Sequence, residues 1–358
     1  APHPNGCGRG TFVQGSPKLT RLTYADLGWT AHFAQQIDAD SKRPLRITEL
    51  HRNRVVALGP DGAQSIDAPM GTGTYAVGDW ITVADAQIET VIDRQSLLKR
   101  GAAGEDNREQ LIAANVTTLG IVSSCNADFN LRRIERYLIL ACDAGCLPLV
   151  ILTKADQSDD PDAFVSDAMG LSPLVTAIAL DATDPSEIER LNVWCRDGDT
   201  LALVGSSGVG KTTIRNGLTG DDAATQGIRE DDARGRHTTT TRALVRTDAG
   251  GWLIDTPGMR ALPLTDVADG LGAVFADIEE LANTCRFSDC AHDTEPGCAV
   301  TGAIAEGTLD ADRLVRWRKL MAEDRHNSQS VAQARARDKN FGKMVKGAMK
   351  RKNRNLGG

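Results

Sequence analysis

Nowhere in the 358 residues does an apolar run reach about eighteen, so no helix is expected to cross a membrane. The N-terminus lacks the basic-then-apolar pattern of a secretory signal, and no internal repeat or low-complexity tract is present. The cysteines form no even lattice either. Cys7, Cys125, Cys142, Cys146 and Cys195 are scattered, several within apolar runs, whereas Cys285, Cys290 and Cys298 crowd beside a histidine. That distribution excludes a secreted disulfide scaffold and fits a cytoplasmic protein, kept reduced, with one metal site.

What the chain does have is ordinary globular material, 41% hydrophobic and 25% charged, with length enough for two or three domains with proper cores. Its net charge of −7 conceals an asymmetry. From Arg313 to Gly358 fourteen Lys/Arg face three Asp/Glu, so this end carries +11 and the remainder −18. A basic tail on an acidic body suggests a polyanionic partner, nucleic acid or a ribonucleoprotein, met by one end of the molecule. A solvated tail with no particular partner is the alternative.

Residues 1–41 show no sustained period and read as an arm. Across 42–100, the short runs Leu45–Thr48, Val55–Leu58 and Val77–Val83, with a turn at Gly59–Gly62, predict a small β-barrel such as an OB-fold. Lys42, Arg43, Arg46, Arg52 and Arg54 are the cluster an RNA-contacting barrel needs, or else solvated strand residues. A polar, Gly-bearing linker near 99–108 follows. Over 108–272 the runs Val116–Val122, Leu147–Leu152, Leu201–Val204 and Trp252–Ile254 read as buried parallel strands. Helical stretches such as Leu131–Leu140 lie between them, which makes this an α/β domain with helices on both faces. Residues 273–358 hold the cysteine cluster and the basic tail.

Gly205-Ser206-Ser207-Gly208-Val209-Gly210-Lys211-Thr212 matches the phosphate-loop pattern G-x-x-x-x-G-K-[ST] in full. It follows a strand and precedes a helical pattern over Thr213–Leu218, the setting in which backbone N–H groups and a helix N-terminus face an anion. Lys211 should then reach the β- and γ-phosphates, and the Thr212 hydroxyl should ligate Mg²⁺, with Thr213 beside it. Asp255-Thr256-Pro257-Gly258 fits D-x-x-G at the end of the last apolar strand. Its carboxylate would hold Mg²⁺, and the Gly258 N–H could sense the γ-phosphate. Between the two, Gly235-Arg236-His237-Thr238-Thr239-Thr240-Thr241-Arg242 offers a switch threonine. Thr239 is the first choice as Mg²⁺ ligand and Thr238 the next.

The nucleotide base is read elsewhere. Thr153-Lys154-Ala155-Asp156 follows the strand Leu147–Leu152 and resembles the N/T-K-x-D guanine motif. Asp156 would accept hydrogen bonds from guanine N1–H and N2–H₂, while adenine would leave it desolvated and unpaired, at a cost of roughly 1–3 kcal/mol. The Lys154 stem would pack on the purine face. This motif ordinarily lies after D-x-x-G, whereas here it precedes the phosphate loop. Either the match is accidental or the strands are circularly permuted, and permutation uses strands that the accidental reading leaves idle. The place where many such enzymes carry a water-orienting Gln is here Met259, which cannot hydrogen-bond to water. His237, beside the switch threonines, is the candidate to orient water or accept its proton.

Cys285-x₄-Cys290-x-His292-x₅-Cys298 supplies three thiolates and an imidazole. That donor set suits tetrahedral Zn²⁺ with no open position, a structural site. Leu314–Leu320 then begins a helix-compatible segment running into the tail, where Lys343, Lys346 and Lys350 recur at helical spacing.

The order T-K-x-D, G-S-S-G-V-G-K-T, G-R-H-T-T-T, D-T-P-G closely resembles the circularly permuted, small-subunit-dependent GTPases of the RsgA (YjeQ) family. Asp128-Phe129-Asn130-Leu131-Arg132-Arg133-Ile134-Glu135-Arg136-Tyr137-Leu138 and the cysteine cluster are further matches, and the likeness spans roughly residues 43–320. The resemblance implies a multidomain fold: an N-terminal OB-fold barrel, a permuted α/β P-loop GTPase domain and a small α-rich zinc-binding C-terminal domain. It further implies a protein that binds GTP and GDP, binds the small ribosomal subunit and its rRNA, and acts in that subunit's late maturation; a monomer is the expected state. Subunit binding would stimulate slow GTP hydrolysis, and the role of His237 gains support. The family usually has Asn where Thr153 stands, and Ala177-Ile178-Ala179-Leu180-Asp181 is the nearest segment to its second guanine loop. The rival readings are a P-loop ATPase or kinase, and an RNA-binding factor that binds nucleotide but scarcely hydrolyses it.

Overall fold

In the computed structural model, residues 21–38, 42–68, 71–100, 110–221, 243–256 and 264–329 are described. Five short strands come first: β1 (Leu45–Leu50), β2 (Arg54–Gly59), β3 (Gly62–Asp67), β4 (Trp80–Ala84) and β5 (Gln87–Val91). They close into a barrel in the order β1-β2-β3-β5-β4. Alternation drives this, since Ile47, Val55, Ala57, Ile66 and Ile81 turn inward into one apolar cluster. Register shifts at Ile47/Glu49 and Thr82/Val83 supply the bends that closure needs. The strand expected from Val77 begins only at Trp80. At Gly78 the backbone has φ +94°, and a Cβ would lie 2.1 Å from Ala114 O, so the chain turns there instead.

The arm is anchored from residue 21 onward. Leu27 and Phe33 are buried, the Trp29 ring stands edge-on to Trp80 at 4.7 Å, and a helical turn, α1 (Ala31–Ala34), closes the segment. Arg46 is not a surface cation: it is 1% exposed where arm, barrel and the next domain meet. Its guanidinium donates to Leu27 O (2.8 Å), Asn115 O (3.1 Å) and Thr200 Oγ1 (2.8 Å). Burial pushes its pKa down to about 9, with Asp79 opposing, so it stays charged at neutral pH. Lys42 is tied to Glu89 at 3.1 Å, while Arg43, Arg52 and Arg54 are exposed. The expected linker begins as strand, because β6 (Leu97–Arg100) pairs with β7 (Gln110–Ala114) as a hairpin.

A six-stranded sheet follows, ordered β10-β9-β8-β11-β13-β12. Its strands are β8 (Thr118–Ser124), β9 (Leu147–Thr153), β10 (Thr176–Ala179), β11 (Thr200–Gly205), β12 (Leu244–Arg246) and β13 (Trp252–Asp255). All neighbours are parallel except the edge pair β12–β13. Consecutive residues of β11 feed opposite cores: Ala202 and Val204 join α2 (Leu131–Asp143), while Leu201 and Leu203 join α4 (Pro185–Glu189) and α5 (Lys211–Thr219). Helix α3 (Pro161–Met169) lies on the α2 face. Parallel strands buried on both faces are thus continuous apolar runs.

Beyond the sheet come α6 (Ala268–Val274), α7 (Ala276–Ala282), α8 (Ala299–Ala305) and a helix over 311–329, α9. Helix α6 lies backbone-close on α2, for a Cβ on Gly270 would be 2.2 Å from Ile139 O. Helix α9 is fastened to α2 by charge: fully buried Glu135 accepts from Arg316 Nε (2.9 Å), and Arg136 Nη1 donates to Glu323 (2.7 Å). Among the described residues no helix is long and apolar enough to cross a membrane.

Candidate functional site

The carboxyl ends of β8, β9, β11 and β13 share one edge of the sheet. Chain order reverses between β8 and β11, the switch point where open α/β sheets bind ligands. The sequence from Gly205 to Thr213 sits there. Gly205 ends β11 at φ +143°, where a Cβ would be 2.3 Å from Val122 O, so only glycine lets the two strands approach. Ser206, Ser207 and Gly208 then turn outward, with Ser207 and Gly208 exposed, while Val209 pins the loop to the core at 2% exposure. Gly210, at φ +94°, precedes α5 and places Lys211, Thr212 and Thr213 in its first turn. Lys211 Nζ folds back to donate to Gly205 O (2.9 Å) and Ser206 O (2.6 Å), so its charge stands at the loop mouth. A concave backbone with a helix N-terminus and an ammonium is built for phosphate.

Thr153 ends β9 at 1% exposure. Its hydroxyl reaches Ser123 O (3.1 Å) and Val209 O (2.8 Å), the latter 56 residues further along the chain. Its side chain also packs 3.3 Å from where a Gly210 Cβ would be. Lys154 takes the left-handed conformation at φ 58° and Asp156 lies exposed in a short 3₁₀ turn, Ala155–Gln157. Ala155 N–H donates to Leu180 O at 3.3 Å, which brings Ala177–Asp181 alongside that turn. Two stretches that are inverted in chain order are therefore neighbours in space.

Asp255 ends β13 opposite Leu203 of β11. Burial raises its carboxyl pKa, and the charges of Lys211 and Arg215 pull it back, so two cations and one carboxylate converge behind the loop. Thr256 is buried, its Oγ1 donating to Leu203 O at 2.6 Å. His237, Thr238, Thr239, Gly258 and Met259 lie outside the described residues. At the near end of that first interval, Asp221 lies 3.8 Å from Arg215; at its far end, Ala243 bridges Glu49 of the barrel.

Cys285, Cys290, His292 and Cys298 come together with all four ligand atoms within 4.8 Å of one another, and they can hold a metal ion. Cys285 Sγ lies 3.8 Å from Cys298 Sγ, and His292 Nδ1 lies 3.5 and 3.6 Å from those two sulfurs. A tetrahedral ion bound about 2.3 Å from sulfur and about 2.0 Å from nitrogen requires S–S edges of about 3.8 Å and N–S edges of about 3.5 Å. The donor set and the spacing both fit. His292 holds φ 60°, a conformation most side chains avoid. Glu295 shapes the loop by accepting from Ala291 N–H (2.9 Å) and Asp293 N–H (2.8 Å), which lowers its pKa to about 2.

Sequence reasoning missed the supports of this loop: Glu295, Arg318, which donates to Ala291 O (3.0 Å), and Trp317, whose ring lies 5.9 Å from His292. Arg318 and Trp317 are linked to the loop only through the fold.

Comparison with known proteins bears on the family and the fold. The RsgA GTPase family model matches residues 91–265. The small ribosomal subunit biogenesis GTPase RsgA of Mesorhizobium japonicum is 47% identical over 314 residues, covering 85% of this chain and 90% of its own. Small ribosomal subunit biogenesis GTPase RsgA 2 of Vibrio parahaemolyticus is 44% identical over 328 residues, covering 90% and 92%. YjeQ from Thermotoga maritima superposes with a TM-score of 0.57 at 24% identity, over 78% of this chain and 97% of that one. YloQ, described as a circularly permuted GTPase, gives 0.56 at 22% identity over 79% and 95%. These two structures speak for the fold.

Proposed function

The chain belongs to the RsgA GTPase family and is a GTP hydrolase, and from that premise we propose that it acts in late maturation of the small ribosomal subunit, whose binding stimulates its turnover. The observation that carries the nucleotide reading is the Thr153–Val209 hydrogen bond, which fastens the T-K-A-D segment to the phosphate loop. In this reading the chain is an arm (1–41), an OB barrel (42–100), a permuted GTPase domain (108–272) and a zinc-bearing end with a basic tail (273–358).

Residues 205–213 cradle the phosphates through their N–H groups, with Lys211 on the β- and γ-oxygens. Thr212, Thr239 and Asp255 would hold Mg²⁺, which neutralises charge on the phosphates when bound. Asp156 reads guanine, Lys154 covers its face and Gly258 reports the γ-phosphate. His237 orients the attacking water, a task Met259 cannot perform. Cys285, Cys290, His292 and Cys298 bind one zinc ion as a closed structural site. The basic tail and the exposed Arg43, Arg52 and Arg54 meet rRNA phosphates, and the protein works as a cytoplasmic monomer.

Multiple-turnover assays with GTP and with ATP, each with and without purified small subunits, test this. GTP turnover is expected to rise at least tenfold on adding subunits, with ATP inert. Equal use of ATP would point to the ATPase reading. Unstimulated GTP turnover alongside tight subunit binding would point to a binding factor.

A further inference from the structure

Asp255 closes β13 beside the phosphate-loop strand, in register with Leu203 of β11. Helix α5 lies over these strands, with Ile214, Leu218 and Leu253 in one apolar cluster. Lys211 and Arg215 are four residues apart on that helix, so they rise from one face a turn apart. Burial pushes the Asp255 carboxyl up, and the two cations pull it back, Lys211 first and Arg215 second.

The two cations are engaged differently. Lys211 Nζ donates to Gly205 O and Ser206 O at the mouth of the loop. Arg215 is held without being satisfied. Its Nε is buried with no hydrogen-bond partner among the described residues, and Nη2 stands 3.8 Å from Asp221, too far for a hydrogen bond. The side chain is 29% exposed, and a guanidinium keeps its proton at any ordinary pH. A fixed positive charge with donors to spare therefore accompanies the carboxylate at the strand end.

Thr212, in the first turn of α5, and Asp255 offer the hydroxyl and carboxylate oxygens that suit a hard cation such as Mg²⁺. We propose that Arg215 is a positioning residue for this site: it acts as counter-ion to Asp255 when the metal is absent and opposes the metal when it is present, which loosens the dependence of nucleotide binding on Mg²⁺. This rests on the reading of Asp255 as a Mg²⁺ ligand. Left without a cation, Asp255 repels the phosphates that residues 205–213 cradle, and Arg215 cancels part of that repulsion. Charges in a partly buried site are screened far less than at the surface, so one arginine has a measurable effect. Metal and nucleotide affinities are linked in both directions, so the residue that tempers Mg²⁺ binding also keeps Mg²⁺ from locking GDP in place.

The test is titration of the full chain with a fluorescent GDP derivative, once in excess Mg²⁺ and once in EDTA, followed by a Mg²⁺ titration at fixed nucleotide. The ratio of the EDTA to the Mg²⁺ dissociation constant measures the dependence. Arg215→Gln removes the charge and keeps much of the stem, and is expected to raise the ratio about fivefold, chiefly by weakening binding in EDTA. The half-saturating Mg²⁺ concentration should fall in parallel. Arg215→Lys should return both toward the starting values, which a purely structural role does not predict. Arg215→Met is the second neutral variant should glutamine unfold the protein, with melting curves as the check on folding. An unchanged ratio in a folded neutral variant overturns the proposal, as does a lysine variant that behaves like glutamine. Asp255→Asn tests the premise separately, since it is expected to flatten the Mg²⁺ dependence. If GDP binding by the unaltered chain ignores Mg²⁺, or Asp255→Asn leaves the dependence intact, the reading of Asp255 has failed and the role of Arg215 falls with it.

Discussion

Thr153 holds two motifs together with one hydroxyl. A hydroxyl has one proton and two acceptors face it here, Ser123 O and Val209 O, so the bond is shared. Replacing it with isosteric valine keeps the packing against Gly210 but strands two buried carbonyls, at about 1 kcal/mol or somewhat more. Thr153→Val is therefore expected to lower the melting temperature by about 2–4 °C and, by loosening the phosphate loop, to weaken GDP binding. Thr153→Asn, which can donate from a longer arm, should recover most of the loss. Titration with a fluorescent GDP derivative measures both, and unchanged affinity in the valine variant would remove Thr153 as the brace. The phosphate loop was legible in sequence because wrapping a backbone round phosphate forces glycines to fixed spacings. The partner of Thr153 was not, because a hydroxyl chooses among carbonyls brought near only by the finished sheet. Arg46 went the same way. On a strand an arginine reads as a surface residue, and only the assembled junction supplies the carbonyls of Leu27 and Asn115 that make its burial tolerable.

At the scale of elements, that arginine makes three units into one. The barrel supplies the cation, and the arm, the β7–β8 turn and β11 each contribute an acceptor, so truncation leaves groups on all three unpaired. Arg46→Met, which keeps the stem, is expected to cost on the order of 3 kcal/mol and to lower the denaturation midpoint of the barrel and the nucleotide domain together. Thermal or urea unfolding followed by Trp emission and by nucleotide protection would check it; separate shifts for the two would refute the shared junction. Most strands were legible because both faces of β8, β9 and β11 are buried and their apolar runs are continuous. Strand β12 was not, for three residues at an antiparallel edge carry too little pattern. The barrel strands β3 and β5 were hidden for a related reason, as most of their side chains face solvent.

At the scale of the molecule, the loop that carries Cys285, Cys290, His292 and Cys298, four donors that can hold a metal ion, packs on α9 through Trp317 and Arg318. The grouping of these four donors was legible because three sulfurs and an imidazole within one short stretch have few other uses. Stripping the metal with a chelator at neutral pH is expected to release one zinc per chain and to melt the loop between α7 and α8. Trp317, packed on His292, should report the change in emission, and Trp317→Phe should silence it. Protein that carries no stoichiometric metal when fully reduced, and whose emission ignores the chelator, would refute the site. Basal GTP binding should persist through the treatment, since the Thr153–Asp156 segment and residues 205–213 are held by their own strands and by the Thr153–Val209 bond.

The Arg46–Thr200 bond spans 154 residues, and that separation has a consequence for synthesis. A barrel emerging first from the ribosome already holds its own apolar interior, yet the cation at its base waits for β11. Until β11 emerges, β8 also lacks the neighbour on its other side, because permutation places the phosphate-loop strand after β8, β9 and β10. The amino-terminal half is thus expected to settle only after about residue 200 has been made, when β11 pairs with β8 and meets Arg46. For a protein whose proposed task is to attend the completion of another assembly, its own completion hinges on one late strand.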